Sequence, residues 1–152
     1  MGDAMISAIQ KFVRRGGGLV TTHDAVGYRG HPSLITEVCA KGVAHVRDKQ
    51  WIAVKEHPVT DGIELNKTMS HTYYDRIELK AGPNGTVLAK APSSSRPVVI
   101  AGAAGKGRYG ACGLLIGITA GNKSITPTGA EATLLLNAVK WCGPQRDNVN
   151  KK

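Results

Sequence analysis

Three consecutive glycines, Gly16-Gly17-Gly18, separate a segment of helical periodicity from a run of β-forming residues. Upstream, Met5, Ile6, Ile9, Phe12 and Val13 recur at helical spacing, which predicts an amphipathic helix over residues 3–15 with Asp3 able to cap its start. Downstream, Leu19-Val20-Thr21-Thr22 reads as a short buried strand ending at His23-Asp24. Glycine tolerates positive φ, so the chain can reverse from helix to strand with almost no loop. A helix feeding directly into a buried strand belongs to an α/β domain. Open α/β sheets place ligand-binding groups at the carboxyl ends of their strands. His23 and Asp24 are therefore the first candidates for a functional role.

The remaining elements follow the same logic. Residues 32–41 resemble a second short helix, with Pro32 in its first turn and Gly42 just past its end. Strands are predicted at 51–54, 75–80 and 86–90, separated by the turn signals His57-Pro58, Asp61-Gly62 and Gly82-Pro83-Asn84-Gly85. Two more, at 97–101 and 108–115, flank a hairpin at Gly105-Lys106-Gly107. A closing helix over 130–141 carries Leu134, Leu135, Ala138, Val139 and Trp141, and Gly143-Pro144 ends it. The order predicts one α/β domain over residues 1–143 and a solvated, disordered tail at 144–152.

Composition narrows the function classes. A chain of 152 residues, 41% hydrophobic, can bury a single core without staples. The net charge of +9 is scattered along the chain and clusters only at Arg14-Arg15, the 47–55 segment, Lys106 to Arg108 and Lys151-Lys152, with no aromatic ladder beside any of them. Charge alone leaves a basic anion or nucleic-acid binder as an alternative, with nucleic acid not expected. No stretch reaches the roughly 18 apolar residues of a membrane span, and the start lacks a signal-peptide pattern, so a cytoplasmic protein without a membrane partner is expected. Cys39, Cys112 and Cys142 form no CxxC and read as reduced thiols. His23, Asp24 and His57 would share a metal only if loops folded over the strand end. Without HxH or HExxH spacing, neither a metal site nor another cofactor is expected.

Four segments in register resemble the ThuA-like (trehalose utilisation) branch of the class I glutamine amidotransferase-like superfamily: FVRRGGGLVTTHDA, HPVTDGIE, GKGRYGACGLL and EATLLLNAVKWC. Order and spacing match the family from about Ala4 to Cys142. The resemblance implies a flavodoxin-like three-layer sandwich with a mostly parallel sheet. Members usually carry a further strand, helix and strand before the first helix seen here, so the resemblance implies that the N-terminal strands are lacking. A homo-oligomer, or a partner chain completing the sheet, is then expected. Amidotransferases carry their cysteine nucleophile at the strand-to-helix corner, where His23 stands in this chain. An imidazole cannot replace a thiolate in glutamine hydrolysis, so no glutaminase activity is expected. A histidine that the family tends to carry after the hairpin strand is also missing, since Ile118 follows Gly117.

The resemblance implies a carbohydrate-associated domain that binds or processes a sugar at the His23/Asp24 corner. A non-catalytic scaffold or oligomerisation domain is the alternative. Asp24 can orient His23, bind a sugar hydroxyl or cap the following segment. His57, Tyr73, Tyr74 and Asp75 are the candidate sugar-binding residues; His57 is also turn chemistry with Pro58, Thr60 and Asp61. His71 precedes the Tyr73-Tyr74-Asp75 cluster, and His31 and His45 are expected at the surface.

Overall fold

A computed structural model describes residues 1–144; the 145–152 part of the expected tail lies outside the described residues. Helix α1 (Asp3–Arg14) leads through the glycines into strand β1 (Gly18–Thr22), and a single 3-10 turn (His23–Val26) follows. The three glycines act differently. Gly16 alone has positive φ, at 118°, whereas a Cβ on Gly17 would strike the Phe12 ring and one on Gly18 would strike the carbonyl of Cys142. One glycine reverses the chain and the other two allow close packing.

Strands β2 (Cys39–Val46), β3 (Gln50–Ala53), β4 (Thr68–Ser70), β5 (Arg76–Ala81), β6 (Thr86–Lys90), β7 (Pro97–Ala104) and β8 (Gly107–Cys112) follow, then a short hairpin of β9 (Ile118–Thr119) and β10 (Lys123–Ser124) and helix α2 (Gly129–Cys142). The main sheet has the order β1-β8-β7-β6-β3-β4, and β2 pairs with β5 in a separate antiparallel ribbon.

The class is α/β, but the sheet is mixed and mostly antiparallel, which corrects the expected mostly parallel sheet. Only β1 and β8 run parallel; β8–β7, β7–β6, β6–β3 and β3–β4 are antiparallel. For β6–β7 and β7–β8 the reason is connection length. The turn at Gly105-Lys106 is too short for the crossover that two parallel strands require, and the β6–β7 link is similarly brief. Residues 32–41 are not a helix: after a turn in which the amides of Val38 and Cys39 reach the Ile35 carbonyl, the chain enters β2. Pairing with β5 outweighs a weak local helical pattern there.

Alternating residues divide the core between the two faces of the main sheet. On one side Val99, Ala101 and Cys112 pack with Trp51, Leu88 and the α2 residues Leu134 and Ala138. On the other, Ile100, Tyr109 and Ala111 pack with Val13 of α1, Ile35, and Ile77 and Leu79 of the ribbon. No helix among the described residues is long and apolar enough to cross a membrane.

Candidate functional site

His23 follows the last residue of β1 and holds φ at 50°, in the left-handed region that side chains other than glycine seldom occupy. Such a corner turns the imidazole away from the strand line toward the segment before β5. His23 Nε2 lies 2.8 Å from Asp75 Oδ1. The other carboxylate oxygen, Asp75 Oδ2, lies 2.7 Å from Nε2 of His45. One carboxylate, 4% exposed, thus takes two imidazoles that are 14% and 19% exposed.

Asp75 is fixed from several directions. The ring nitrogens of His71 face the carbonyls of Lys49 (2.9 Å) and Asp75 (2.8 Å). Burial holds the His71 pKa below its ordinary value. Fully buried Arg76 reaches the Asp48 carboxylate at 2.7 Å, and the Ile77 amide donates to the Gly113 carbonyl at 2.8 Å. Glu131, in the first turn of α2, accepts from the Thr72 amide (2.8 Å) and hydroxyl (2.6 Å). The 71–77 segment is therefore locked to β8 and α2, at the sheet end where β1 finishes.

Tyr73 sits edge-on to His23 at 6.1 Å and stacks on Tyr74 at 4.4 Å. The Tyr73 hydroxyl donates to that of Tyr74, which pushes its pKa up to about 12. Tyr74, 49% exposed, offers an aromatic face to solvent. Asp24 Oδ1 lies 3.4 Å from His23 Nδ1, and that oxygen is buried without a hydrogen-bond partner.

The structure brings together His23, Asp24, Tyr73, Tyr74 and Asp75, and it adds His45. His57 does not join them. Its ring packs on Trp141 at 4.8 Å, and Trp141 in turn lies beside Arg108 at the start of β8. Arg108 pairs with Gly18 and Cys112 with Thr22, so His57 belongs to the opposite end of the β1–β8 pair, about 13 Å of strand away. His45 corrects the surface expectation: it is half-buried in β2 and faces the site after a register shift between Gly42 and Ala44. A bulge re-aims a side chain in this way, and no local sequence pattern announces it. His31 is exposed, as expected.

All three thiols are buried. Burial pushes Cys39 and Cys142 up to about 11 and Cys112 up to about 12. Cys112 ends the strand next to β1, but its side chain belongs to the core on the α2 side.

No family model and no curated protein matches the sequence. Solved structures do match in fold. A ThuA-like protein from Bacteroides uniformis superposes with a TM-score of 0.66 at 16% identity, over 93% of this chain and 64% of that one. The chain has the ThuA-like fold. The same fold likeness extends to a cytoplasmic protein from Salmonella typhimurium (TM-score 0.66, 15% identity, 95% of this chain and 63% of that one). It reaches a β-galactosidase from Bacillus circulans as well (TM-score 0.60, 18% identity, 93% of this chain and 21% of that one). The chain thus spans less than two thirds of the first two structures and about a fifth of the third.

Proposed function

We propose that this ThuA-like domain binds or processes a sugar, in keeping with trehalose utilisation, at the corner formed by His23, Asp24, Tyr73, Tyr74 and Asp75, and that it does not hydrolyse glutamine. The observation that carries the reading is the Asp75 carboxylate engaging His23 at a strand end where the backbone is strained. Strain of this kind persists where the surroundings over-determine a side chain's position. Asp75 orients the imidazole, the ring positions the partly exposed Asp24 carboxylate to accept from a sugar hydroxyl, and the exposed Tyr74 ring supplies a stacking face. The buried thiols and the histidine at the corner speak against glutaminase chemistry.

The test is thermal melting in the presence of trehalose and related disaccharides, with His23→Ala and His23→Asn alongside. Asparagine tolerates a left-handed backbone, so its loss of response reports the imidazole rather than the strain. Stabilisation of the wild type by one sugar, abolished in both variants, is expected. Unshifted melting with every sugar would end the reading, as would ammonia release from glutamine for its second half.

A second reading has its own observation. Strand β1 is at the edge of the main sheet, and Met5, Phe12, Leu136 and Val139, on the helices that pack beside it, are 54–57% exposed. An unpaired parallel edge with apolar flanks invites pairing with a second copy of the chain. Solution mass measurement of the wild type and of Val139→Glu tests it: a dimer or larger assembly that the substitution dissociates is expected, and a monomeric wild type refutes it.

A further inference from the structure

The geometry points to a divalent transition-metal site built from His23 Nε2, His45 Nε2 and the Asp75 carboxylate. These three donors come from three separate elements: the corner after β1, strand β2 and the segment leading into β5. Their ligand atoms all lie within 4.8 Å of one another. A tetrahedral ion with bonds of about 2.0–2.1 Å holds its donors roughly 3.3 Å apart, so the two imidazole–carboxylate contacts of 2.8 and 2.7 Å open slightly and the wider separations close. Both imidazoles retain some exposure, which gives them room to move, while buried Asp75 is the fixed point.

Hydrogen-bond accounting favours an ion over two neutral imidazoles. Without metal, each Nε2 must carry a hydrogen to donate to Asp75. A neutral His23 then turns a bare Nδ1 lone pair toward Asp24 Oδ1 at 3.4 Å, and that buried oxygen is left without a partner. With a cation on Nε2, the His23 hydrogen moves to Nδ1 and donates to Asp24, the carboxylate–histidine–metal arrangement common behind metal-bound imidazoles. A divalent charge also offsets the two carboxylates. On His45 the corresponding change turns Nδ1 into a donor, so the exposed Arg29 guanidinium, now 3.3 Å from it, swings into solvent. Two imidazoles and a carboxylate suit Zn2+, Mn2+, Fe2+ or Co2+ and leave open positions for water or a substrate oxygen.

The site uses the same side chains as the sugar reading but needs no sugar, so its test is run without one. Chelator-treated protein is titrated with Zn2+ and with Co2+, following heat, melting temperature and the visible absorption of cobalt. One equivalent should bind, and about a hundredfold excess of Zn2+ over Kd should raise the melting temperature by roughly 5–10 °C. His45→Gln and Asp75→Asn should weaken binding at least about tenfold, and Arg29→Ala should leave it intact or tighten it. Circular dichroism checks that each variant is folded; His45→Gln, at a half-buried ring, carries the test should Asp75→Asn not fold. Absence of binding by the wild type, or equal binding by His45→Gln, overturns the site. Metal binding without any sugar response would leave the site standing and remove the sugar reading, and the converse would do the reverse.

Discussion

At Gly113 the polypeptide has no room for a side chain. A Cβ there would sit inside the carbonyl oxygen of Ile77, the residue whose amide donates to Gly113. The close approach presses the start of β5 against the end of β8 and so sets Asp75 within reach of His23. Gly113→Ala is expected to lower unfolding free energy by about 3 kcal/mol, read as a lower urea midpoint. An unchanged midpoint would mean that the two backbones can separate freely. A glycine within a strand pattern is a legible sign of close backbone approach, though the sequence does not say what approaches. His23 shows the same division. The glycine junction and the strand that follows put it at a strand end, but its left-handed backbone emerges only in three dimensions.

Among the elements, α2 does more than cover the sheet. Its first turn brings buried Glu131 to the Thr72 amide and hydroxyl, tying the Tyr73-Tyr74-Asp75 segment to the helix. Glu131→Ala leaves both donors without their acceptor and should cost about 2 kcal/mol in chemical denaturation, with Glu131→Gln costing less. Equal stability of all three proteins would show that Glu131 does not bear on the segment. Helix α2 and strands β6, β7 and β8 were readable from periodicity and turn residues. Strand β2 was not, because Pro32 and Gly42 imitate the ends of a helix while its partner residues in β5 lie 30 to 42 positions further along.

For the whole molecule, acid should be destabilising even before the carboxylates protonate. Burial, with Lys55 and Arg108 nearby, holds the His57 pKa below its ordinary value. Between the folded and unfolded pKa the unfolded chain binds more protons, so stability rises with pH through that window. His57 therefore contributes stability present above about pH 6.5 and lost as pH falls toward its lowered folded value. The melting temperature is expected to drop from pH 7.5 to pH 5.5, and His57→Asn, which retains an acceptor for the Val59 amide now bonded to Nδ1, should flatten that slope. An identical slope in the variant would assign the acid sensitivity elsewhere.

Local patterns alone settled the α/β class, the helix-glycine-strand entry and the presence of a histidine at its corner, because periodicity and glycine chemistry act over a few residues. Only the tertiary structure decided the antiparallel majority of the sheet, the exile of His57 to the far end and the arrival of His45 on Asp75. Those depend on strand register across long stretches of chain, where one shift in pairing redirects every side chain that follows.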